Sequence, residues 1–319
     1  MNLSDIYKTG KENLLSKDIG FVVGAVETGW VWYNNRAVFD YWAFRQKAIN
    51  APAEADTAAE LLDLELSAPV IMSAMTMPIP AICDDGLLQL AKGLKEAGSL
   101  MWTGTPIPKD LGALLNTGVP LMVSVKPYAD RDKLANEIRA AQKEGVTMIS
   151  VEVDAGQGTK VRDKQMAKDC APLSLEELKE LRRIITGKMV AKGVLSDHDA
   201  LLCVEAGVDA ITASNHGAHT IDYLPHPLQV VDEIVSAVAG RCPIIMDGGF
   251  RRGSDIVKGL ALGADTIGLG RPILYALAAG GTQGVVDLFD NLRREMARIM
   301  VMLGAAGPDE LAPDCLIEV

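Results

Sequence analysis

The stretch EAGVDAITASNHGAHTID (205–222) runs from the end of a helical pattern through a short apolar run into a polar segment. Its first part nearly repeats in ALGADTIGLGRP (261–272), which has the same order of helix end, glycine and apolar run. A glycine at such a joint is typical of the end of a helix, where the chain turns directly into the next strand. The two segments therefore indicate a chain in which helices and strands alternate.

Eight apolar runs of this kind follow one another from about residue 69 onward. Each is short, rich in branched residues and without strict alternation, which is typical of parallel strands buried on both faces. Helical patterns separate them, and several of these open with Ser or Asp, as helix N-caps do. The runs are PVIMSA (69–74), SLMWT (99–103), PLMVSV (120–125), TMISVEV (147–153), KMVAK (188–192), VDAITAS (208–214), PIIMD (243–247) and ADTIGLG (264–270).

Eight strands with helices between them predict an α/β fold, a (β/α)8 TIM barrel. The alternative, a doubly wound open sheet, calls for a glycine-rich turn after its first strand, and PVIMSAMTMPIP (69–80) has none. The first 65 residues lie outside the pattern and are rich in aromatic side chains between Gly24 and Phe44. We interpret residues 1–65 as an N-terminal helical capping segment, whose aromatics pack on the barrel or form a substrate lid, and residues 66–319 as the barrel domain.

The composition limits the possible partners. A formal net charge of −11 repels nucleic acid and anionic lipid, so we expect a small-molecule substrate and neither of those two partners. No run approaches the roughly 20 apolar residues that span a bilayer, and the start MNLSDIYKTG (1–10) lacks the apolar core of a signal peptide. We expect a cytoplasmic protein. No pair among the five cysteines has the spacing of a zinc or redox site, so we expect reduced structural thiols and no metal.

The end of the sixth predicted strand carries the first candidate for chemistry. Barrel enzymes react at the C-terminal ends of their strands, and His216 stands there between Asn215 and Gly217. A lone histidine is more often structural, but this placement favours a functional one. The fourth strand ends with Glu152 and Asp154, which share one side of the strand because side chains alternate. Asp154 is a candidate to orient His216 and to favour its protonated form.

The ends of the seventh and eighth predicted strands combine glycines with arginines, in DGGFRRG (247–253) and GLGRP (268–272). Glycines let the backbone approach a ligand closely, and the loops after these two strands are common phosphate sites in barrels. The helix N-termini that follow add partial positive charge. We predict a phosphorylated ligand here; the alternative is that the glycines serve tight turns alone. The candidates are Gly248, Gly249, Arg251 or Arg252, Gly270 and Arg271.

Two further strand ends carry lysines. Lys192 closes the fifth run and is a candidate either for a Schiff base or for a fixed cation beside a cofactor. The third strand ends in SVKPY (124–128), which offers Ser124, Lys126 and Tyr128.

Four of these segments, AKGV (191–194), SNHGAHTID (214–222), DGGFRRG and GLGRP, together resemble the FMN-dependent 2-hydroxy-acid oxidising family, to which glycolate oxidase and lactate oxidase belong. The resemblance is close over about 188–304, weaker over 69–160 and loose before that. It implies an FMN-dependent oxidoreductase that oxidises a hydroxyl-bearing carbon. Members of that family often form tetramers, so the resemblance also implies a homo-oligomer.

The resemblance assigns roles to individual residues. His216 matches the catalytic base, Asp154 the carboxylate paired with it, and Lys192 the lysine beside the flavin N1 and O2. The stretch from Ala74 to Thr76 matches the backbone against the flavin, and the residues after strands seven and eight match those that hold the ribityl chain and phosphate. The implied FMN-binding residues are Ala74, Met75, Thr76, Ser124, Lys192, Asp247, Gly248, Gly249, Arg251, Gly270 and Arg271.

The substrate half departs from the family. The family's arginine three residues after the base is His219 here, and its two active-site tyrosines map to Gly20 and Lys126. A threonine of the fourth strand is Glu152, and a second arginine after that strand has a candidate in Arg162. We therefore expect FMN and the base to be retained and substrate recognition to have changed. His219, Lys126 and Glu152 are the substrate-binding candidates, with Lys126 as a replacement cation for an anionic substrate.

Two other functions stay open. The type 2 isopentenyl-diphosphate isomerase family uses FMN in a related barrel without net redox change and has a similar DGG segment. The SNHG motif and the absence of that family's Gln-Glu metal-binding pair argue against it. The other alternative is a barrel without flavin that binds a phosphorylated metabolite, either as an enzyme or as a sensor.

Overall fold

Strands and helices alternate along most of the chain in a computed structural model, which describes residues 1–19 and 24–319. Eight of the strands overlap the eight apolar runs. The strands are β1 (Trp42–Phe44), β2 (Ala59–Leu61), β3 (Leu64–Leu66), β4 (Val70–Met72), β5 (Met101–Thr103), β6 (Leu121–Val125), β7 (Met148–Glu152), β8 (Lys160–Val161), β9 (Lys164–Gln165), β10 (Lys188–Val194), β11 (Ala210–Ala213), β12 (Ile244–Asp247), β13 (Thr266–Leu269) and β14 (Leu316–Glu318).

Those eight strands form one parallel sheet in the order β4-β13-β12-β11-β10-β7-β6-β5. The two end strands also meet, because the Met72 amide donates to the Leu100 carbonyl at 3.2 Å and the Met75 amide to the Trp102 carbonyl at 3.1 Å. The sheet thus curls round on itself as a nearly closed barrel. The predicted (β/α)8 fold is confirmed, and the doubly wound open sheet is excluded.

Helices follow the barrel strands and cover their outer faces. Several of their N-termini are capped by Ser or Asp, as the sequence pattern suggested; Ser174, for example, forms a capping box with Glu177. The helices are α1 (Leu3–Ser16), α2 (Trp30–Ala37), α3 (Ile79–Ile82), α4 (Gly86–Glu96), α5 (Leu111–Leu115), α6 (Arg131–Lys143), α7 (Leu175–Ile184), α8 (Asp197–Ala206), α9 (Val231–Val238), α10 (Gly253–Ala261) and α11 (Arg271–Leu303). The last of these kinks where Gly280 and Gly281 leave helical geometry.

The barrel interior changes character from one end to the other. Its lower part is apolar and includes Trp102, Met122 and Val190, all fully buried. Two residues further along a strand the side chain again points inward, because side chains alternate. At those positions stand polar or charged residues, such as Ser124 after Met122 and Lys192 after Val190. The charged groups therefore gather at the C-terminal mouth of the barrel.

The first 65 residues contribute to both ends of the barrel. The hairpin β2–β3 places Leu61 and Leu66 in the apolar cluster inside the barrel, so it closes the N-terminal end. Strand β1 pairs with β14, and α2 lies near the mouth. This segment thus contains helices and short strands, whereas the sequence suggested helices and turns, since three-residue strands leave no recognisable periodicity. The domain boundary at residue 66 stays a prediction.

Within the described ranges, the structure contains no helix both long and apolar enough to cross a membrane. The five cysteines all lie in those ranges and are free thiols.

Helix α1 packs against the first half of α11 with very little space. A Cβ atom on Gly10 would lie 2.2 Å from the Tyr275 carbonyl oxygen. One turn earlier, the Tyr7 hydroxyl donates to the Arg251 carbonyl in the loop after β12. Helix α1 therefore supports the loop that carries Arg251.

We predict that Gly10→Ala lowers stability although alanine favours a helix by about 1 kcal/mol. The new methyl group meets backbone that cannot rotate away, and such overpacking costs typically about 1–3 kcal/mol. We expect a net loss that lowers the thermal unfolding midpoint by a few degrees, measured by circular dichroism. Lys11→Ala, at an exposed position of the same helix, is the control. A Gly10→Ala variant as stable as that control would contradict the close packing.

Candidate active site

A cavity of about 300 Å³ opens at the C-terminal ends of the barrel strands. Its walls are the loops that follow β4, β7, β11, β12 and β13, together with Trp32, Asn35 and Arg36 of α2. The cavity therefore lies at the end of the barrel where enzymes of this fold place their chemistry.

His216 faces this cavity and is held by a carboxylate behind it. Its Nδ1 lies 2.8 Å from Asp154 Oδ2, in the short turn after β7. The backbone of His216 is in the left-handed region, with φ of 56°, and its amide donates to Ser214 Oγ at 3.0 Å. Gly193 makes room for the pair, since a Cβ there would lie 2.1 Å from Asp154 Cγ. A contact of this kind fixes which ring nitrogen faces the cavity.

Glu152 lies near the other ring nitrogen of the same imidazole. Its Oε2 is 3.8 Å from His216 Nε2 and accepts a hydrogen bond from Lys126 Nζ, and both members of that ion pair are buried. Burial by itself raises the pKa of Glu152, but Lys126, His216 and Lys192 outweigh this effect and lower it to about 2. Glu152 thus already compensates the charge of Lys126, and the role of Lys126 as a cation for an anionic substrate stays a prediction.

Lys192 and Asp247 present polar atoms that the described protein leaves without hydrogen-bond partners. The buried Lys192 Nζ has none, and neither has Asp247 Oδ1, although Asp247 Oδ2 accepts from Ser73 Oγ at 3.1 Å. Burial lowers the pKa of Lys192, but the carboxylates of Asp154, Glu152 and Asp247 outweigh burial and raise it. Buried polar atoms of this kind are rare unless a ligand satisfies them.

A candidate anion site lies at the start of α11. Arg271 is the first residue of that helix after Gly270, and its guanidinium donates to the Gly217 carbonyl at 3.1 Å. The same group lies 3.9 Å over the ring of Trp32, and Arg251 faces that ring from 5.9 Å. Two guanidinium groups and a helix N-terminus thus converge on one part of the cavity, which suits a phosphate.

His219 is buried between the anion site and His216. Its Nε2 lies 3.4 Å from Arg271 and its Nδ1 lies 3.1 Å from the Lys160 carbonyl. Burial, together with the charges of Arg271 and His216, lowers the pKa of His219 to about 3. The imidazole is therefore neutral near pH 7, so it offers no fixed charge in place of an arginine.

Most of the residues that the sequence singled out meet in this cavity. Asp154 stands behind His216, whereas Ser124 is buried below the cavity and accepts a hydrogen bond from Trp102 Nε1 at 2.9 Å. Arg162 is exposed and outside the cavity wall, and Gly20 lies outside the described residues. The predicted residues that line the cavity are Ala74, Met75, Thr76, Lys126, Glu152, Lys192, His216, His219, Asp247, Gly248, Gly249, Arg251, Gly270 and Arg271.

Several supporting residues were missed by the sequence reasoning. Asn35 exchanges hydrogen bonds with Asn215, and the buried His226 contacts the Gly248 carbonyl at 2.6 Å. Trp32 of α2 forms the platform under the arginines. The many aromatic residues of segment 24–44 indicated that it packs on the barrel. The segment is far along the chain from the strand ends, so the sequence did not show which residues it would contact.

Comparisons with known proteins agree with this geometry. A family model described as FMN-dependent dehydrogenase matches residues 10–172 and 155–318. A peroxisomal (S)-2-hydroxyacid oxidase of Arabidopsis thaliana is 30% identical over 98% of this chain and 94% of its own length, and a glycolate oxidase of that organism is 28% identical with the same coverage.

Solved structures of similar proteins share the whole architecture. A variant of (S)-mandelate dehydrogenase superposes with a TM-score of 0.91 at 26% identity, over 100% of this chain and 99% of that protein. A Pediococcus acidilactici protein described as a putative lactate oxidase gives a TM-score of 0.92 at 27% identity, over 100% and 95%.

The Lys126–Glu152 pair yields a prediction about stability. Removing one member of a buried ion pair leaves the other uncompensated and typically costs about 3–5 kcal/mol, whereas replacing both by apolar groups is often neutral. We expect Glu152→Gln and Lys126→Met to be strongly destabilised at pH 7 in urea unfolding. The Lys126→Met/Glu152→Met double variant should recover most of the loss. A double variant as unstable as the sum of the single variants would contradict the pairing.

The same pair predicts a dependence on pH. The pKa of Glu152 is about 2 in the folded chain against an ordinary value of 4.5. A lowered pKa stabilises the fold above the ordinary value, and this contribution is lost as the pH falls toward the folded one. The difference in unfolding free energy between the unmodified protein and Glu152→Gln should thus become smaller as the pH falls from about 5 to about 2. These limits lie near the ordinary and the folded pKa of Glu152.

Proposed function

Since this chain belongs to the FMN-dependent dehydrogenase family, we propose that it uses FMN to oxidise a hydroxyl-bearing carbon in a 2-hydroxy acid or a related compound. The observation that carries the proposal is the His216–Asp154 pair in the same cavity as the arginine-lined anion site. A base for the hydroxyl and a site for the cofactor phosphate are thereby within one cavity. The isomerase and flavin-free alternatives lack such support, since the relatives reported above are named as oxidases and dehydrogenases.

The residues present fit FMN. Its phosphate is a dianion, for which Arg251, Arg271 and the N-terminus of α11 supply positive charge. Its flavin ring gains negative charge when reduced, and the unpartnered ammonium of Lys192 is the group suited to balance that charge. Its ribityl hydroxyls need hydrogen-bond acceptors, and Asp247 Oδ1 is one that the described protein leaves open. Two buried polar atoms without partners, Lys192 Nζ and Asp247 Oδ1, thus have counterparts in the cofactor.

Bound FMN would supply an acceptor for the hydrogen and the two electrons of the C–H bond that breaks at the oxidised carbon. The chain supplies the proton chemistry. In our proposal, Nε2 of His216 takes the proton of the substrate hydroxyl. Nδ1 keeps its own proton and donates it in a hydrogen bond to Asp154. Asp154 then stabilises the imidazolium that forms, because an adjacent carboxylate favours the charged ring. Lys192 stays protonated, since the surrounding carboxylates raise its pKa.

Location and assembly have weaker support. A cytoplasmic site of action is suggested by composition, and a homo-oligomer by the family resemblance. Both stay predictions, and one relative is named as peroxisomal.

The proposed base predicts a loss of chemistry without a loss of cofactor. We expect His216→Ala to retain the yellow FMN spectrum but to be reduced at least about 100-fold more slowly by an active hydroxy compound, because general-base catalysis contributes typically about 10²–10⁴-fold. The measurement is anaerobic bleaching of the flavin across a panel of hydroxy acids and related alcohols. His198→Ala, at an exposed position in α8, is the control. Reduction of the His216 variant at the normal rate would refute the role.

The proposed phosphate site predicts a difference between two ligands. Arg251→Met should weaken FMN binding by about 10-fold or more, because a hydrogen bond to a charged group contributes about 1.5–3 kcal/mol. It should leave the affinity for riboflavin, which lacks the phosphate, nearly unchanged. Fluorescence quenching on titration measures both. Arg252→Met is a matched control, since Arg252 is paired with Glu295 outside the cavity. Equal weakening for both flavins would contradict a phosphate contact.

A further inference from the structure

The space next to His216 Nε2 is lined by a carboxylate. Glu152 Oε2 lies 3.8 Å from that nitrogen, and the residue is 2% exposed. Lys126 fixes its position through a buried ion pair, so the carboxylate cannot turn away without leaving an ammonium uncompensated. Any substrate whose hydroxyl reaches His216 must therefore place the neighbouring part of its skeleton near Glu152.

Two ammonium groups near this point already face carboxylates. Lys126 is paired with Glu152, and Lys192 faces the three carboxylates of Asp154, Glu152 and Asp247. Arg271 donates to two backbone carbonyls and stacks on Trp32. At the rim, Lys160 lies 3.8 Å from Glu27. A substrate carboxylate next to the reacting carbon would thus meet Glu152, whereas the ammonium groups of Lys126 and Lys192 already have carboxylates beside them.

The neighbouring imidazole does not change this balance. His219 Nδ1 contacts the Lys160 carbonyl and its Nε2 faces Arg271. With a pKa lowered to about 3 by burial and the charges of Arg271 and His216, it is neutral at physiological pH. It therefore adds a polar surface to the cavity but no positive charge.

We propose that Glu152 determines specificity, by selecting a substrate whose oxidised carbon carries an uncharged, hydrogen-bond-donating neighbour such as an amide or a hydroxyl, in place of a carboxylate. An N–H or O–H group there would donate to Glu152, whereas a carboxylate would be repelled by it. This inference rests on the proposed function, of which it specifies the substrate class: neutral derivatives of hydroxy acids and polyols.

The test uses unreactive ligands in which a carboxylate is replaced by an uncharged amide that can donate a hydrogen bond. The FMN-loaded protein is titrated with propanoate against propanamide, and with phenylacetate against phenylacetamide, following the change in flavin absorbance. We expect each amide to bind at least about 10-fold more tightly than its acid, because like charges in contact cost several kcal/mol. The inference is overturned if an acid binds as tightly as its amide or more tightly. It is also overturned if none of the four ligands binds.

Variants identify the residue responsible. Glu152→Gln should reduce the preference for the amide to less than about threefold, since the repelling charge is gone. The Lys126→Met/Glu152→Met variant should also lose the preference, and it serves if Glu152→Gln proves too unstable. Glu137→Gln, a half-buried carboxylate in α6 away from the cavity, is the control and should keep the preference. A preference that survives both Glu152 substitutions overturns the assignment.

The proposed function fails by a different observation. A protein that takes up no FMN, or whose flavin no hydroxy compound reduces, refutes the oxidase proposal and the inference with it. A protein whose flavin is reduced readily by hydroxy acids and that binds propanoate better than propanamide refutes the inference alone.

Discussion

Mutual compensation of buried charges is the constraint on which this site depends. Lys126, Glu152, Lys192, Asp154 and Asp247 point into or border the mouth of one barrel, where an isolated charge would cost several kcal/mol. Each is tolerated because an opposite charge stands nearby. The same arrangement keeps Lys192 protonated and holds the carboxylate of Glu152 ionised. The charge pattern that stabilises the mouth is thus also the pattern that a ligand meets.

The barrel provides this arrangement through the geometry of its strands. Side chains alternate, so an apolar layer that includes Trp102 and Met122 is followed two residues later by a polar layer facing the same interior. The hairpin β2–β3 closes the apolar end with Leu61 and Leu66. Water is thereby kept from the lower interior, and the charged groups are confined to the end where the loops carry the cavity.

Segments distant along the chain complete the site by packing on its loops. Helix α2 brings Trp32 under the two arginines, and Asn35 locks the segment before His216 through Asn215. Helix α1 supports the Arg251 loop through Tyr7. The enclosure also explains why His219 is neutral. Its imidazole lies between Arg271 and the Lys160 carbonyl, where burial and the charge of Arg271 lower its pKa. The charge state of His219 therefore depends on this enclosure and not on the imidazole alone.

The sequence by itself determined the eight strands, the helices between them and the residues at the strand ends, because period, caps and glycine joints are local and short-ranged. It also pointed to His216, Asp154, Lys192 and the two arginines. Only the tertiary structure decided that Lys126 and Glu152 neutralise each other, that His219 is uncharged and that Ser124 lies below the cavity. Those outcomes depend on distances between residues far apart in sequence and on the exclusion of water. The local sequence of a single strand determines neither the distances nor the burial.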